Sequence, residues 1–176
     1  ALPRIYMGMA GYDDAKKRKQ EHSLFIRSIY HDLDAGPEKY AKAVAKGKPD
    51  SVYETQQHAI ADVARLAKLT GMVPTLINSS GMGLHVYWVL DRDYSVAEAL
   101  PVMLRVKAAF KALGVKSDPA VPGDTARILR PVGSLHSVAE DGTEIRVTNL
   151  LHKPAKVYTL DQVNDLIDPH VPVSIF

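Results

Sequence analysis

The sequence predicts an α+β fold, in which strands and helices are mixed without a strict βαβ rhythm. Three segments carry this prediction. Residues 23–33 are a run of large apolar and β-prone side chains, which is typical of a buried strand. Residues 75–78 and 84–90 are two further apolar runs around a glycine-containing turn, which indicates a β-hairpin. Residues 95–113 have the pattern of a capped helix.

The N-terminal half adds a strand and a helix on either side of the predicted buried strand. Residues 4–9 predict a first strand. Ala35-Gly36-Pro37 ends the buried strand, because glycine and proline interrupt regular structure. Apolar residues at roughly helical spacing over residues 53–69 predict an amphipathic helix that ends at Gly71.

The C-terminal half is dominated by the helix predicted at residues 95–113. Ser95 is suited to cap this helix, Glu98 completes a capping box, and Gly114 closes it. Beyond it, the patterns predict a loop at residues 118–124, an element starting within 127–132, a strand at 143–149 and a short helix at 159–167.

The composition excludes several classes of protein. The 176 residues fit one domain, and 46% hydrophobic with 24% charged residues is ordinary for a globular chain. No apolar run approaches the roughly 20 residues that a membrane-spanning helix needs. The absence of cysteine excludes disulfides and thiolate metal sites, and it suits a reducing cytoplasm. The net charge of +2 decides little about nucleic acids, because carboxylates of a metal site can offset a basic groove.

The first candidate site is a pair of aspartates at the end of the predicted buried strand. Asp32 and Asp34 are two residues apart, so on a strand their carboxylates point to the same face. Two such charges repel each other unless a cation lies between them, and Mg²⁺ and Mn²⁺ prefer oxygen ligands of this kind. The alternative is that both are solvated turn residues ahead of Gly36.

The second candidate site is the turn between the two hairpin strands. Gly81 and Gly83 allow a tight turn, and the Ser80 hydroxyl and turn N–H groups are suited to phosphate oxygens. His85 begins the next strand, where its imidazole could donate to a triphosphate. The alternative, which the local features alone favour, is a plain hairpin turn with a packed histidine.

The third candidate site follows the long predicted helix. Asp118 is the preferred additional carboxylate, because Pro119 biases it towards an extended conformation. Asp124 lies in a glycine-containing stretch, where aspartate is more often a turn residue. Arg127 and Arg130 could bind phosphates, and on a strand only one of them, taken to be Arg130, would point into the site. The alternative is an Asp-Pro turn with surface arginines.

The order of these motifs resembles the archaeo-eukaryotic primase superfamily, and within it the phage and plasmid primase-polymerases. Asp32-Leu33-Asp34 resembles the paired-aspartate motif of that family. Residues 80–88, Ser-Gly-Met-Gly-Leu-His-Val-Tyr-Trp, are similar to its Ser-Gly-x-Gly-x-His-x-Tyr-Trp segment. Residues 125–133 resemble its Thr-Arg-x-x-Arg-x-Pro-Gly segment, with an extra Ala126 and a changed Pro131-Val132 order. The resemblance spans about residues 25–137.

The resemblance implies a two-lobed fold with an RRM-like catalytic sheet, and template-directed nucleotidyl transfer as a DNA primase, a DNA polymerase or both. It implies that Asp32, Asp34 and Asp118 hold two Mg²⁺ or Mn²⁺ ions. The implied nucleotide-binding residues are Ser80, Gly81, Gly83, His85, Arg127 and Arg130. The implied partners are a DNA template and primer and nucleoside triphosphates, in the host cytoplasm if the protein is encoded by a phage. The chain has no Walker-type Gly-Lys-Thr/Ser sequence, so a helicase domain of the same protein would lie outside it.

Two other classes of function stay open at this point. A metal-dependent nuclease or phosphoesterase would use the same carboxylates to cut phosphodiester bonds. A non-catalytic replication-initiator module would bind DNA without a divalent ion. Clustered negative charge facing phosphates does not favour a pure DNA-binding role.

Overall fold

The computed structural model describes residues 5–14, 16–117, 121, 123–151 and 156–173. Its strands are β1 (Met7–Gly8), β2 (Ala10–Tyr12), β3 (Ser23–Asp34), β4 (Leu76–Ser79), β5 (Gly83–Ser95), β6 (Ile128–Leu129), β7 (Leu135–Val138), β8 (Glu144–Arg146) and β9 (Thr148–Asn149). Its helices are α1 (Pro37–Ala45), α2 (Gln56–Thr70), α3 (Val96–Ala112) and α4 (Leu160–Ile167). The order along the chain is β1-β2-β3-α1-α2-β4-β5-α3-β6-β7-β8-β9-α4.

A five-stranded antiparallel sheet with the order β2-β3-β5-β4-β9 forms the centre of the fold. The strands β1 and β6 form one small two-stranded sheet, and β7 and β8 form another. The mixture of one main antiparallel sheet with helices confirms the predicted α+β class. Within the described residues, none of the helices combines the length and apolar character that crossing a membrane requires.

The long strands β3 and β5 give the sheet two different faces. Cross-strand partners point to the same side, and successive residues of a strand point to opposite sides. Three cross-strand pairs line the helix face of the sheet: Ile29 opposite Trp88, His31 opposite Val86, and Leu33 opposite Leu84. This face packs against α2 and α3, where the ring of Phe110 lies 5.4 Å from that of Trp88. The polar face carries Tyr30, Asp32, Asp34, His85 and Tyr87.

Local signals in the sequence account for the ends of several elements. The Glu98 N–H donates to Ser95 Oγ, and the Ser95 N–H donates to the Glu98 carboxylate, so the predicted capping box of α3 is present. Gly71 has a φ of 73° at the end of α2, a left-handed conformation that glycine adopts readily. Thr159 caps α4 in the same way as Ser95 caps α3.

The strand predicted at residues 143–149 is wrong as a single element. Residues up to Arg146 pair with β7, whereas Thr148 and Asn149 pair with β4 of the main sheet. Between the two strands, Val147 is buried, and its N–H donates to the Ser134 carbonyl at 3.0 Å. The chain changes from one sheet to the other at this residue, which the local strand pattern does not reveal.

Other boundaries also differ from the prediction. The strand β5 continues to Ser95 rather than Leu90, because a shift of register lets Tyr94 pair with Ile26. The helix α1 was not predicted: Pro37 ends the strand region and also occupies the first turn of a helix, where its fixed φ is favourable. Of the first predicted strand, only Met7–Gly8 is a strand, and Arg4 lies outside the described residues.

Candidate active site on the polar face of the sheet

A row of polar side chains crosses the sheet on its polar face. Asp32 of β3 lies opposite His85 of β5, and His85 lies opposite Asn78 of β4. The distance from His85 Nε2 to Asp32 Oδ1 is 3.9 Å. Asp34 follows on the same face of β3, opposite Gly83. The sheet therefore brings together the paired-aspartate motif and the histidine that the sequence placed far apart.

Close packing around the turn at residues 79–83 leaves no room for a Cβ atom at Gly81 or Gly83. A Cβ on Gly83 would lie 2.2 Å from the Leu33 carbonyl oxygen, so only glycine lets β5 approach β3 here. Gly81 has a φ of 99°, and a Cβ on it would lie 2.8 Å from Ile145 Cγ2. The Ser80 N–H donates to the Gly83 carbonyl at 2.9 Å, which closes the turn. Phosphate binding by Ser80, Gly81 and Gly83 stays a prediction.

Each of the two carboxylates has a basic side chain beside it. The Asp34 carboxylate accepts a hydrogen bond from Lys39 Nζ, which extends from α1. Asp32 Oδ2 lies 3.9 Å from Arg127 Nη2. The Asp32 side chain is 28% exposed and that of Asp34 is 49% exposed, so both remain reachable from solvent. This arrangement shows that the end of β3 attracts positive charge.

Both arginines of the third motif approach the polar face. Arg127 lies near Asp32, and the charge of Arg130 acts on His85. The strand β6 covers only Ile128–Leu129, so strand alternation does not extend to both arginines. The expectation that only one of them, Arg130, points into the site stays a prediction. Arg130 Nη2 also donates to the Tyr6 hydroxyl at 2.9 Å, and its guanidinium lies 4.8 Å from the centre of the Tyr6 ring.

His85 is neutral at neutral pH. Burial, and next the nearby charge of Arg130, lower the pKa of His85 to about 4. Its side chain is 5% exposed. A neutral imidazole has one N–H group and no positive charge, and the ring of His85 already has a hydrogen bond to the backbone of Arg130.

The third predicted carboxylate, Asp118, lies outside the described residues. Asp124, the less favoured candidate, is described and behaves as a turn residue. Its Oδ1 accepts hydrogen bonds from the Ala126 N–H at 3.0 Å and from Gln20 Nε2 at 3.2 Å. Its carbonyl oxygen accepts a hydrogen bond from the Tyr30 hydroxyl. The assignment of the third carboxylate to Asp118 stays a prediction.

The residues present fit a hard divalent cation. Asp32 and Asp34 supply carboxylate oxygens from one face of one strand, which are ligands suited to Mg²⁺ and Mn²⁺. The basic groups on both carboxylates show that the site already stabilises positive charge. Among the described residues, no group of three or more His, Cys, Asp or Glu side chains is placed to hold a metal ion.

Sequence reasoning missed three residues next to this site. Lys39 belongs to the unpredicted helix α1. Tyr6 lies immediately before β1, whose pairing with β6 brings it to Arg130. His136 lies on β7, and its charge contributes to lowering the pKa of His85. For His136 the sequence did offer a signal, because this residue lies only a few positions after the arginine segment at residues 125–133.

Comparison with known proteins identifies the fold. No protein-family model matches the chain, and no curated protein matches it. Among solved structures, the AEP domain of the cyanophage S-2L primase-polymerase matches 93% of this chain and 70% of its own length. The TM-score is 0.53 and the sequence identity is 16%. The two chains therefore share a fold, and this chain has the architecture of an AEP domain.

Proposed function

We propose that this chain is the catalytic domain of a template-directed nucleotidyltransferase that acts as a DNA primase, a DNA polymerase or both. One observation carries the proposal. On the polar face, the paired aspartates Asp32 and Asp34 share one side of the sheet with His85. Arg127 lies 3.9 Å from Asp32, and the charge of Arg130 acts on His85. The AEP domain of a phage primase-polymerase has the same fold as this chain.

The proposed reaction joins a nucleotide to a primer. The 3′-hydroxyl oxygen forms a bond to the α-phosphorus of a nucleoside triphosphate, the bond to the bridging oxygen breaks, and pyrophosphate leaves. Asp32, Asp34 and Asp118 would hold two Mg²⁺ or Mn²⁺ ions, which when bound stabilise the attacking and leaving oxygens. The partners are therefore a DNA template, its primer and nucleoside triphosphates. A helicase domain in the same full-length protein and a location in the host cytoplasm belong to the same proposal.

The basic side chains of the site bind the triphosphate in this proposal. Arg127 lies 3.9 Å from Asp32, and its guanidinium is suited to donate two parallel hydrogen bonds to a phosphate. Arg130 supplies a second guanidinium, held by Tyr6. Ser80 donates a hydrogen bond, His85 binds beside it with its ring held by the Arg130 backbone, and Gly81 and Gly83 keep the turn close to the strand ends.

A single assay with labelled DNA separates the proposed function from its rivals. The protein is incubated with a labelled primer on a template, with or without nucleoside triphosphates, in Mg²⁺ or Mn²⁺. Extension that requires triphosphates supports the proposal, and an unprimed single-stranded template tests priming. Shortening of the DNA without triphosphates indicates a nuclease instead. Retention of DNA with neither reaction indicates a binding module.

The third metal ligand is tested by a matched pair of variants. Asp118→Asn removes the proposed ligand, whereas Asp124→Asn changes a carboxylate that accepts turn hydrogen bonds. We expect Asp118→Asn to abolish extension at an unchanged melting temperature, and Asp124→Asn to keep most of the activity. The reverse pattern would move the third ligand to Asp124.

A further inference from the structure

The hairpin formed by β7 and β8 lies directly against the turn at residues 79–83. A Cβ built on Gly81 would be 3.0 Å from His136 Cγ and 2.8 Å from Ile145 Cγ2. His136 Nδ1 lies 2.9 Å from Ser137 Oγ, which limits the rotation of the ring. The imidazole of His136 is half-buried. It therefore borders the turn to which Ser80 and Gly81 belong.

Hydrogen bonds hold this hairpin at both ends, and they fix the position of His136 on β7. The Gly133 N–H donates to the Val147 carbonyl at 2.8 Å, immediately before β7. After β8, β9 pairs with β4, and the Leu150 N–H donates to the Ile77 carbonyl at 2.8 Å. The strand β4 leads into the turn itself. The hairpin and the turn are therefore parts of one hydrogen-bonded unit.

The turn needs positively charged or hydrogen-bonding side chains around it if it binds a triphosphate. A triphosphate carries several negative charges, and His85 is neutral because burial lowers its pKa to about 4. Arg130 supplies one positive charge, and the charge of His136 reaches the same region, since it also acts on His85.

We propose that His136 is a further binding residue for the β- and γ-phosphates of the incoming nucleoside triphosphate, acting from the hairpin that borders the turn at residues 79–83. This inference rests on the proposed function, because that function supplies the triphosphate. In this arrangement Arg130 gives positive charge, and the imidazole of His136 gives a further hydrogen bond to the phosphates.

The first experiment measures the binding of inorganic tripolyphosphate to the purified protein by calorimetry, without DNA and without divalent ions. We expect His136→Asn to weaken binding on the order of tenfold, because the hydrogen bond from the imidazole to a phosphate is lost. His136→Lys should restore most of the affinity, since its ammonium also donates to phosphate oxygens. His58→Asn is the matched control: its imidazole is exposed on α2 beside Glu54, and its loss should change nothing.

The second experiment uses primer extension to separate binding from packing. We expect His136→Asn to raise KM for the nucleotide on the order of tenfold, with kcat and DNA affinity within about twofold of the wild type. A purely packing role predicts a lower melting temperature with unchanged tripolyphosphate affinity and unchanged KM, and that result would overturn the proposal. If His136→Ala fails to fold, the Asn and Lys variants still decide, because both keep a side chain against Gly81.

The outcomes distinguish this inference from the proposed function. A wild-type protein that extends primers, with a His136→Asn variant of unchanged KM, contradicts only the role of His136. A wild-type protein that binds tripolyphosphate through His136 but extends no primer contradicts only the proposed polymerase activity. A wild-type protein that does not bind tripolyphosphate contradicts the role of His136 directly.

Discussion

The two faces of the central sheet each bury one histidine, and the two histidines have different surroundings. His31 on the helix face lies 4.9 Å from the ring of Phe110 and 6.1 Å from that of Trp88. Neither of its ring nitrogens has a hydrogen-bond partner among the described residues. His85 on the polar face lies 3.9 Å from an oxygen of Asp32, with the charge of Arg130 nearby.

Burial alone does not distinguish these two residues. It is the largest cause of the lowered pKa in both, to about 3 for His31 and to about 4 for His85. Both also have an aromatic neighbour and a basic residue that lowers the pKa, which is Lys107 for His31 and Arg130 for His85. The difference is the carboxylate of Asp32, which lies beside His85 only. A lowered pKa by itself therefore does not distinguish a candidate site residue from a packed one. The first motif shows this most sharply, since His31 and Asp32 are adjacent in the chain and point to opposite faces.

The largest expected effect comes from the polar face. Asp32→Asn keeps the shape of the side chain but removes a charge that the proposed metal site needs. We expect a loss of extension rate of at least about a thousandfold, which corresponds to roughly 4 kcal/mol of transition-state stabilisation. The melting temperature should not fall. Asp93→Asn, at an exposed ion pair with Arg27, is the control and should extend primers normally. Wild-type rates in folded Asp32→Asn would refute the assignment of the polar face.

The matching change on the helix face should affect stability instead of activity. Phe110 is buried against both His31 and Trp88. Phe110→Ala should lower the free energy of unfolding by about 3 kcal/mol or more, because it leaves a cavity under the sheet. Urea denaturation measures the loss, and KM for the nucleotide, measured where the variant is folded, should stay unchanged. A large change in KM without loss of stability would mean that the two faces are not separate.

His31→Leu sharpens the comparison at a single position. It replaces a buried ring without hydrogen-bond partners by an apolar side chain, so we expect stability at neutral pH to rise by about 1 kcal/mol. The folded pKa of His31 lies below its ordinary value of 6.5, so folding favours the neutral ring. The stability from the neutral ring is complete above that value and is lost as pH falls towards about 3.

The pH dependence gives the measurement for this prediction. Thermal unfolding is followed from pH 7 to pH 4 in the wild type and in His31→Leu. The wild type should lose more stability over this range, because only the wild type carries His31. The contribution of His85 is present in both proteins and cancels in the comparison. Parallel curves would show that His31 is not responsible for acid sensitivity, and His58→Leu, at an exposed position, provides the reference slope.

The smallest expected effect concerns Tyr6, which supports the polar face from outside the main sheet. Tyr6→Phe removes the hydroxyl that accepts from Arg130 but keeps the ring beneath the guanidinium. We expect KM for the nucleotide to rise about twofold, since one partly exposed hydrogen bond contributes little. Tyr6→Ala removes both contacts and should give a larger increase. Equal values of KM in all three proteins would show that Arg130 does not depend on Tyr6.

Local patterns were sufficient for much of this fold. The strand β3, the hairpin turn and the capped helix α3 follow from alternation, glycine and a capping box, which are encoded within a few neighbouring residues. The same-face placement of Asp32 and Asp34 follows from strand geometry alone. These features were predictable because their physical causes are short-range.

Only the tertiary structure decided which of these elements meet. The register of β3 with β5 places His85 beside Asp32, although the two residues are far apart in the chain. The change of sheet at Val147 and the position of His136 against Gly81 depend on pairing with β4 and β7. Backbone spacing within a strand is set by covalent geometry, whereas register and packing between strands are set by the combined contacts of the whole core. The sequence by itself therefore determined the chemistry of the individual motifs, and the tertiary structure determined how they form one site.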